Sequence, residues 1–312
     1  MKIVFMGTPD IAAGVLDALL GSEHEILAVV TQPDKPNQRG NGITFSPVKK
    51  TALDAGIKVL QPLKASSEEF AAELKELDPD IIVVVAFGQI LKKNILELAP
   101  YGCVNVHASL LPKYRGASPI QWAVIDGEKE TGITIMQMDA GIDTGDIILQ
   151  EKLELDPDET AGSLFDRLTV MAGPVLLKAL KSIEDGTAVR TPQDEEKATY
   201  VSMLKKSMGR LNFNHKAEEL ERLIRGLIPW PGAYTFVGGK MLKLWKVCVA
   251  SEEERIEALP GEIRIKDNAL FIGTEDVPLE ILELQAEGKK RMPAYDFLRG
   301  TAITDKTVTD QV

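Results

Sequence analysis

The chain has 312 residues, 44% of them hydrophobic and 27% charged, with a mean hydropathy of −0.04. That balance fits a folded globular protein of one large or two ordinary domains and excludes a disordered one. The net charge of −11 disfavours nonspecific nucleic-acid binding. No run approaches ~20 uncharged apolar residues, and residues 1–7 carry no basic segment ahead of polar Thr8-Pro9-Asp10, so neither a transmembrane helix nor a secretory signal is expected.

Residues 2–5 read as an apolar strand closed by Gly7-Thr8-Pro9-Asp10. Ile11, Val15, Leu16, Leu19 and Leu20 then recur at helical spacing, with Asp10 as the expected N-cap. Residues 25–31 form a second strand and 58–60 a brief third. The run DIIVVVAF at 80–87 has the unbroken apolar character of a strand buried on both faces of a parallel sheet. A helix over 67–77 is capped by Ser66 or Ser67. Strands at 103–107, 132–138 and 146–155 follow, and a long helix over 160–183 closes the series. Strands alternating with helices predict an α/β domain with a doubly wound, mostly parallel, Rossmann-like sheet. Periodicity fails from 184 to 206, where Gly186, Pro192 and Gln193-Asp194-Glu195-Glu196-Lys197 look like an exposed connector. The expected division is therefore 1–185 as the catalytic domain, 186–206 as a linker and 207–312 as a second domain. In the last, a helix over 217–227, the rigid turn Pro229-Trp230-Pro231-Gly232 and five short strands predict a small barrel.

Cys103 and Cys248 lie far apart in apolar runs, which points to reduced thiols and a cytoplasmic location. His24, His107 and His215 have no metal-ligand spacing, so no metal is expected. The opening Gly7-Thr8-Pro9-Asp10-Ile11-Ala12-Ala13-Gly14 fails the dinucleotide fingerprint, because Pro9 removes an amide where a pyrophosphate needs one. That argues against a nicotinamide oxidoreductase.

Asn105 and His107 end an apolar strand two residues apart, so alternation places both on one face, at the strand end where ligands bind in such sheets. Gly141-Ile142-Asp143-Thr144-Gly145-Asp146 supplies a carboxylate on a glycine-bounded turn; spacing alone does not choose between Asp143 and Asp146. An amide to stabilise an oxyanion, an imidazole to move a proton and a carboxylate to hold and charge the imidazole suit acyl transfer to an amine. No Ser or Cys nucleophile is implied, so direct attack by the acceptor is the simplest scheme.

The segment NVHASLLPKYRGASPIQWAVIDGEKETGITIMQMDAGIDTGDI, with KIVFMGTPD, the 32–49 loop, Lys197-Ala198-Thr199-Tyr200 and Pro229-Trp230-Pro231-Gly232-Ala233, resembles the folate-dependent formyltransferases over nearly the full length. The resemblance implies Asn105, His107 and Asp143 as the catalytic three. It implies contact of Phe87, Gly88, Ser109, Leu110, Leu111 and Pro112 with 10-formyltetrahydrofolate, the co-substrate. The second domain is expected to be an OB-like barrel that holds nucleic acid, and the expected reaction formylates the α-amino group of methionyl initiator tRNA for translation initiation, by a monomer and without a membrane. A nucleotide-sugar amine is the alternative acceptor. Residues 206–312 carry 16 basic against 17 acidic side chains, while 1–205 carry 20 against 30, so the C-terminal part is the less repulsive towards a polyanion. Arg39 and Lys49 in the loop, and Lys206 and Arg210 about the end of the linker, are the expected tRNA contacts.

Overall fold

The computed structural model describes residues 1–36, 43–251, 256–301, 303 and 306–308. The chain divides into two compact units. One comprises Met1–Pro119, Glu130–Glu154 and Phe165–Val201; the other comprises Ile120–Lys129, Leu155–Leu164 and Ser202–Val312.

The first half of the chain runs β1 (Lys2–Gly7), α1 (Asp10–Leu20), β2 (Glu25–Val30), β3 (Lys35–Pro36), β4 (Ile43–Thr44), α2 (Pro47–Asp54), β5 (Val59–Leu60), α3 (Glu68–Glu76), β6 (Ile81–Val85), α4 (Lys93–Leu96) and β7 (Cys103–His107). It continues with β8 (Arg115–Gly116), α5 (Pro119–Ile125), β9 (Glu130–Gln137), β10 (Ile147–Glu154), α6 (Ala161–Glu184) and β11 (Tyr200–Val201). Seven strands form one sheet in the order β10-β9-β7-β6-β1-β2-β5. The pairs among β5, β2, β1, β6 and β7 are parallel, whereas β9 runs against both β7 and β10. The mostly parallel sheet is thus as expected, with β9 reversed.

Every residue of β6 (IIVVV) is buried, because a central parallel strand is covered on both faces. Ser67 caps α3 by accepting from the Phe70 amide. At α1 the cap position falls on Pro9, with no side-chain hydrogen bond, and Asp10 is instead the first helical residue, where its carboxylate favours the positive end of the helix. α1 and the later part of α6 meet through small residues: a Cβ on Gly173 would lie 2.4 Å from the Ala18 methyl, and one on Gly14 would lie 2.8 Å from Thr169.

The second unit is built on α7 (Ala217–Gly226), β12 (Ala233–Val237), β13 (Lys240–Val249), β14 (Ile263–Lys266), β15 (Ala269–Ile272), β16 (Leu279–Ala286), β17 (Met292–Pro293) and α8 (Ala294–Gly300). Its antiparallel sheet has the order β12-β13-β16-β15-β14, with β17 on the end of β16. Among the described residues β12 and β14 do not pair with each other, so the sheet is not closed. Leu220 and Ile224 of α7 share one core with Leu244, Leu270, Ile281 and Leu284. Asp276, in the turn before β16, accepts from the Ala217 amide and so caps α7 from outside the helix. Gly226 lets α7 approach α5, since a Cβ there would lie 2.4 Å from Ile125 Cγ1.

Candidate active site

β7 carries Asn105 and His107 to the carboxyl edge of the sheet, between β6 and β9. Both are buried, at 9% and 6% exposure, which is unusual enough for polar side chains to require partners. The imidazole Nε2 lies 2.9 Å from the Tyr114 carbonyl oxygen. A carbonyl can only accept, so Nε2 carries the hydrogen and Nδ1 faces the other way. There it meets Asp143, whose Oδ2 lies 3.7 Å from Nδ1. The same oxygen accepts a hydrogen bond from the Gly116 amide at 2.8 Å. Asp143, not Asp146, is therefore the carboxylate turned to the imidazole. Tyr114, Ser118 and Asp143 all adopt left-handed backbone (φ 62°, 63° and 55°), a concentration of strained residues of the kind found at functional sites.

The segment expected to be an exposed connector is largely exposed, yet it is stitched alongside this site. The Arg115 amide donates to the Thr199 carbonyl and the Ala117 amide to the Val201 carbonyl. Gly116 is required here: its φ is 102°, and a Cβ would come within 2.5 Å of the Val201 oxygen. The Arg115 side chain is completely buried. Its Nη1 and Nη2 grip the Glu195 carboxylate at 2.9 and 2.7 Å, Nη1 also reaches the Tyr200 hydroxyl at 2.8 Å, and Nε donates to Gln193 Oε1 at 3.0 Å. The bidentate Glu195 raises the Arg115 pKa, and the guanidinium in turn holds the Glu195 carboxyl below its usual range. Gln193 Nε2 donates to the Asp143 and Gly145 carbonyls at 2.8 and 2.7 Å. Arg115, Gln193 and Glu195 were not among the expected site residues. The sequence signal was an arginine inside the quoted motif and an acid pair after it, 80 positions on; only the fold shows that they meet.

Ser109, Leu110, Leu111 and Pro112 form the turn after β7. Thr134, buried on β9, braces it: its hydroxyl donates to the Ser109 carbonyl at 2.6 Å and accepts from the Leu111 amide at 3.1 Å and from Gln150 Nε2 at 2.9 Å. The Ser109 hydroxyl is engaged with the Lys113 carbonyl. Phe87 and Gly88 follow β6, where the Phe87 carbonyl takes hydrogen bonds from Thr8 and Gln32, and Gly88 has φ 82°. These two segments leave neighbouring strand ends of the sheet.

Of the expected nucleic-acid contacts, Arg39 lies outside the described residues. Lys49 is engaged: its ammonium lies 2.5 Å from Asp34 Oδ2, 2.8 Å from Gln61 Oε1 and over the Phe45 ring at 4.2 Å. Lys49 accordingly holds the Asp34 carboxyl below its ordinary value. Lys206 is exposed at the start of a short 3₁₀ turn, and Arg210, half-buried, forms a β-bridge with Tyr234. Among the described residues no cluster of three or more His, Cys, Asp or Glu could hold a metal, and no helix is long and apolar enough to cross a membrane.

A buried strand-end amide and imidazole with a facing carboxylate make the kind of site that suits transfer of an acyl group to an amine. The models of the formyl transferase family match residues 1–180, and those of its C-terminal domain match 203–302; the chain belongs to this family. It is 53% identical to the methionyl-tRNA formyltransferase of Lachnospira eligens, over 97% of this chain and 98% of that one. It is 49% identical to the protein of the same name from Agathobacter rectalis, over 98% of each. Among solved structures, the N-formyltransferase of Helicobacter canadensis in complex with folinic acid and dTDP-3-aminofucose shares the fold, with a TM-score of 0.68 at 22% identity over 92% of this chain and 99% of that one.

Proposed function

We propose that the chain transfers the formyl group of 10-formyltetrahydrofolate to the α-amino group of methionyl initiator tRNA, as a cytoplasmic monomer serving translation initiation. The observation that carries the chemistry is the His107 and Asp143 pair beside Asn105 at the carboxyl end of β7. The acceptor follows from relatives that are methionyl-tRNA formyltransferases over their whole length.

The folate supplies a formyl carbon open to attack by an amine. The Ser109-Leu110-Leu111-Pro112 turn, with Phe87 and Gly88, would hold it; Gly88 adds no side-chain bulk, and the braced turn offers apolar Leu and Pro side chains of the kind that line such pockets. The Asn105 amide donates to the oxygen that becomes negative as the tetrahedral intermediate forms. His107 is fixed by the Tyr114 carbonyl through Nε2, so it exchanges protons through Nδ1: it takes one from the attacking amine and returns it to the departing folate nitrogen. Asp143 stabilises the imidazolium at that stage through its charge.

Residues 1–185 are assigned the chemistry and 207–312 the holding of tRNA, with 186–206 as the joining segment. An OB-like reading of the second unit is supported by β16, which takes β15 at its start and β17 at its end on one side and β13 on the other. Contact with tRNA is assigned to Arg39, Lys206 and Arg210, and to Lys49 at the cost of its pair with Asp34. The test is a single assay: purified protein, 10-formyltetrahydrofolate and charged initiator tRNA, scored for formyl-methionine against an amino-sugar nucleotide as competing acceptor. Preferential formylation of the sugar overturns the assignment.

A further inference from the structure

Gln193 lies in the joining segment, 50 positions beyond Asp143, whose backbone carbonyl it touches. Its amide has a fixed orientation. The two carbonyls at Asp143 and Gly145 can only accept, and Arg115 Nε can only donate, so Nε2 must face the loop and Oε1 the guanidinium. All three bonds are between 2.7 and 3.0 Å. Arg115 cannot drift either, because its buried fork is closed by the two Glu195 oxygens and the Tyr200 hydroxyl. A continuous path therefore runs from Glu195 through Arg115 and Gln193 to the Asp143 backbone.

That backbone is where help is needed. Asp143 adopts left-handed φ of 55°, a conformation disfavoured for L-residues although Asp enters it more readily than most, so contacts to this loop help to keep it there. The conformation directs Oδ2 at once to the Gly116 amide and towards His107 Nδ1. We propose that Gln193, locked by Arg115 and Glu195, is a positioning residue of formyl transfer, holding the Asp143 loop so that its carboxylate faces His107. This rests on the assignment of Asp143 and His107 to the chemistry.

The test uses Gln193→Glu, which keeps the shape and the contact with Arg115 but places an oxygen against two carbonyls, and Gln193→Met, which removes the hydrogen bonds and keeps the bulk. Each is made alone and in an Asp143→Ala background, with kcat and KM measured for tRNA and folate. The expected result for the single variants is a kcat lower by about 10- to 100-fold with both KM values within about twofold, as befits loss of geometry at the reacting centre. In the Asp143→Ala background neither substitution lowers kcat further. A full additional loss in that background would show a merely structural role and overturn the proposal, as would wild-type kcat in both single variants. If Asp143→Ala itself keeps wild-type kcat, the catalytic assignment fails and the proposal with it. A crippled Asp143→Ala with silent Gln193 variants overturns the proposal alone.

Discussion

At 3.7 Å the Asp143 carboxylate is too far from His107 Nδ1 for a hydrogen bond but close enough for its charge to matter. Asp143→Asn separates these effects, because the amide oxygen can still accept from Gly116 while the charge is gone. We expect it to lower kcat by about 10²-fold or more, with Asp146→Asn mild; the reverse ranking in steady-state kinetics would exchange the two aspartates. His107→Ala and Asn105→Ala should each reduce kcat by about 10² to 10⁴ with unfolding midpoints preserved. The Asn105 and His107 pair was legible in the sequence because strand alternation is a local rule. The choice of Asp143 from spacing was not, since it depends on a left-handed turn and on Gln193 reaching it across 50 positions. The cysteines give a further residue-scale prediction. Burial pushes the Cys103 thiol up to about 12, leaving a thiolate fraction of about 10⁻⁴ at pH 8. Titration of the native protein with a thiol reagent should therefore modify half-buried Cys248 and leave Cys103 until denaturant is added.

Among elements, β9 matters through one hydroxyl. Thr134→Val keeps the shape but removes the donor to the Ser109 carbonyl and the acceptor for Leu111 and Gln150. Because the braced turn is assigned to folate and its brace loses three hydrogen bonds, KM for the formyl donor should rise by about 10-fold or more, with a smaller change in kcat. The cap on α7 sets a pH dependence. Burial alone would raise the Asp276 pKa, but the amides of Ala217 and Val277 and the Thr274 hydroxyl outweigh it and hold the carboxyl below the ordinary 3.8. A depressed folded value means stability that is present above the unfolded pKa and lost as pH falls through the folded one. Asp276→Ala should cost about 1 kcal/mol near neutrality, and urea unfolding should show that gap narrowing below about pH 4. Helices and strands with clean periodicity stood in the sequence within a few residues: the strand at 103–107 and the helix beginning at 217 are where expected. The reversal of β9 and the pairing of the two-residue strands β8 and β11 were not, because sheet direction and such short bridges arise from contacts distant in the chain.

For the whole molecule, the charge is unevenly spread, and a polyanionic acceptor must find the less acidic part of the chain. Raising salt from 50 to 200 mM should increase KM for charged tRNA steeply, by a factor set by the phosphates contacted, and leave KM for a small methionine ester flat. Equal salt effects on both would remove the case for a nucleic-acid contact. Arg39→Ala should weaken transfer to tRNA by about 10-fold or more and spare the ester.

The stitched segment also decides what a protease would do. Gln193, Asp194, Glu195, Glu196 and Lys197 are mostly exposed and polar, as a preferred site of attack would be. A nick there would leave every atom of Asn105, His107 and Asp143 in the longer fragment, yet release the Asp143 and Gly145 carbonyls and strip the buried Arg115 of its counter-charge. Proteolysis would thus silence the enzyme at its first cut, well before the folded body is degraded. A fragment meant to retain the chemistry would have to extend through Val201, since one stopped at residue 185 discards Gln193 on the Asp143 loop, Glu195 on Arg115 and the strand that pairs with β8.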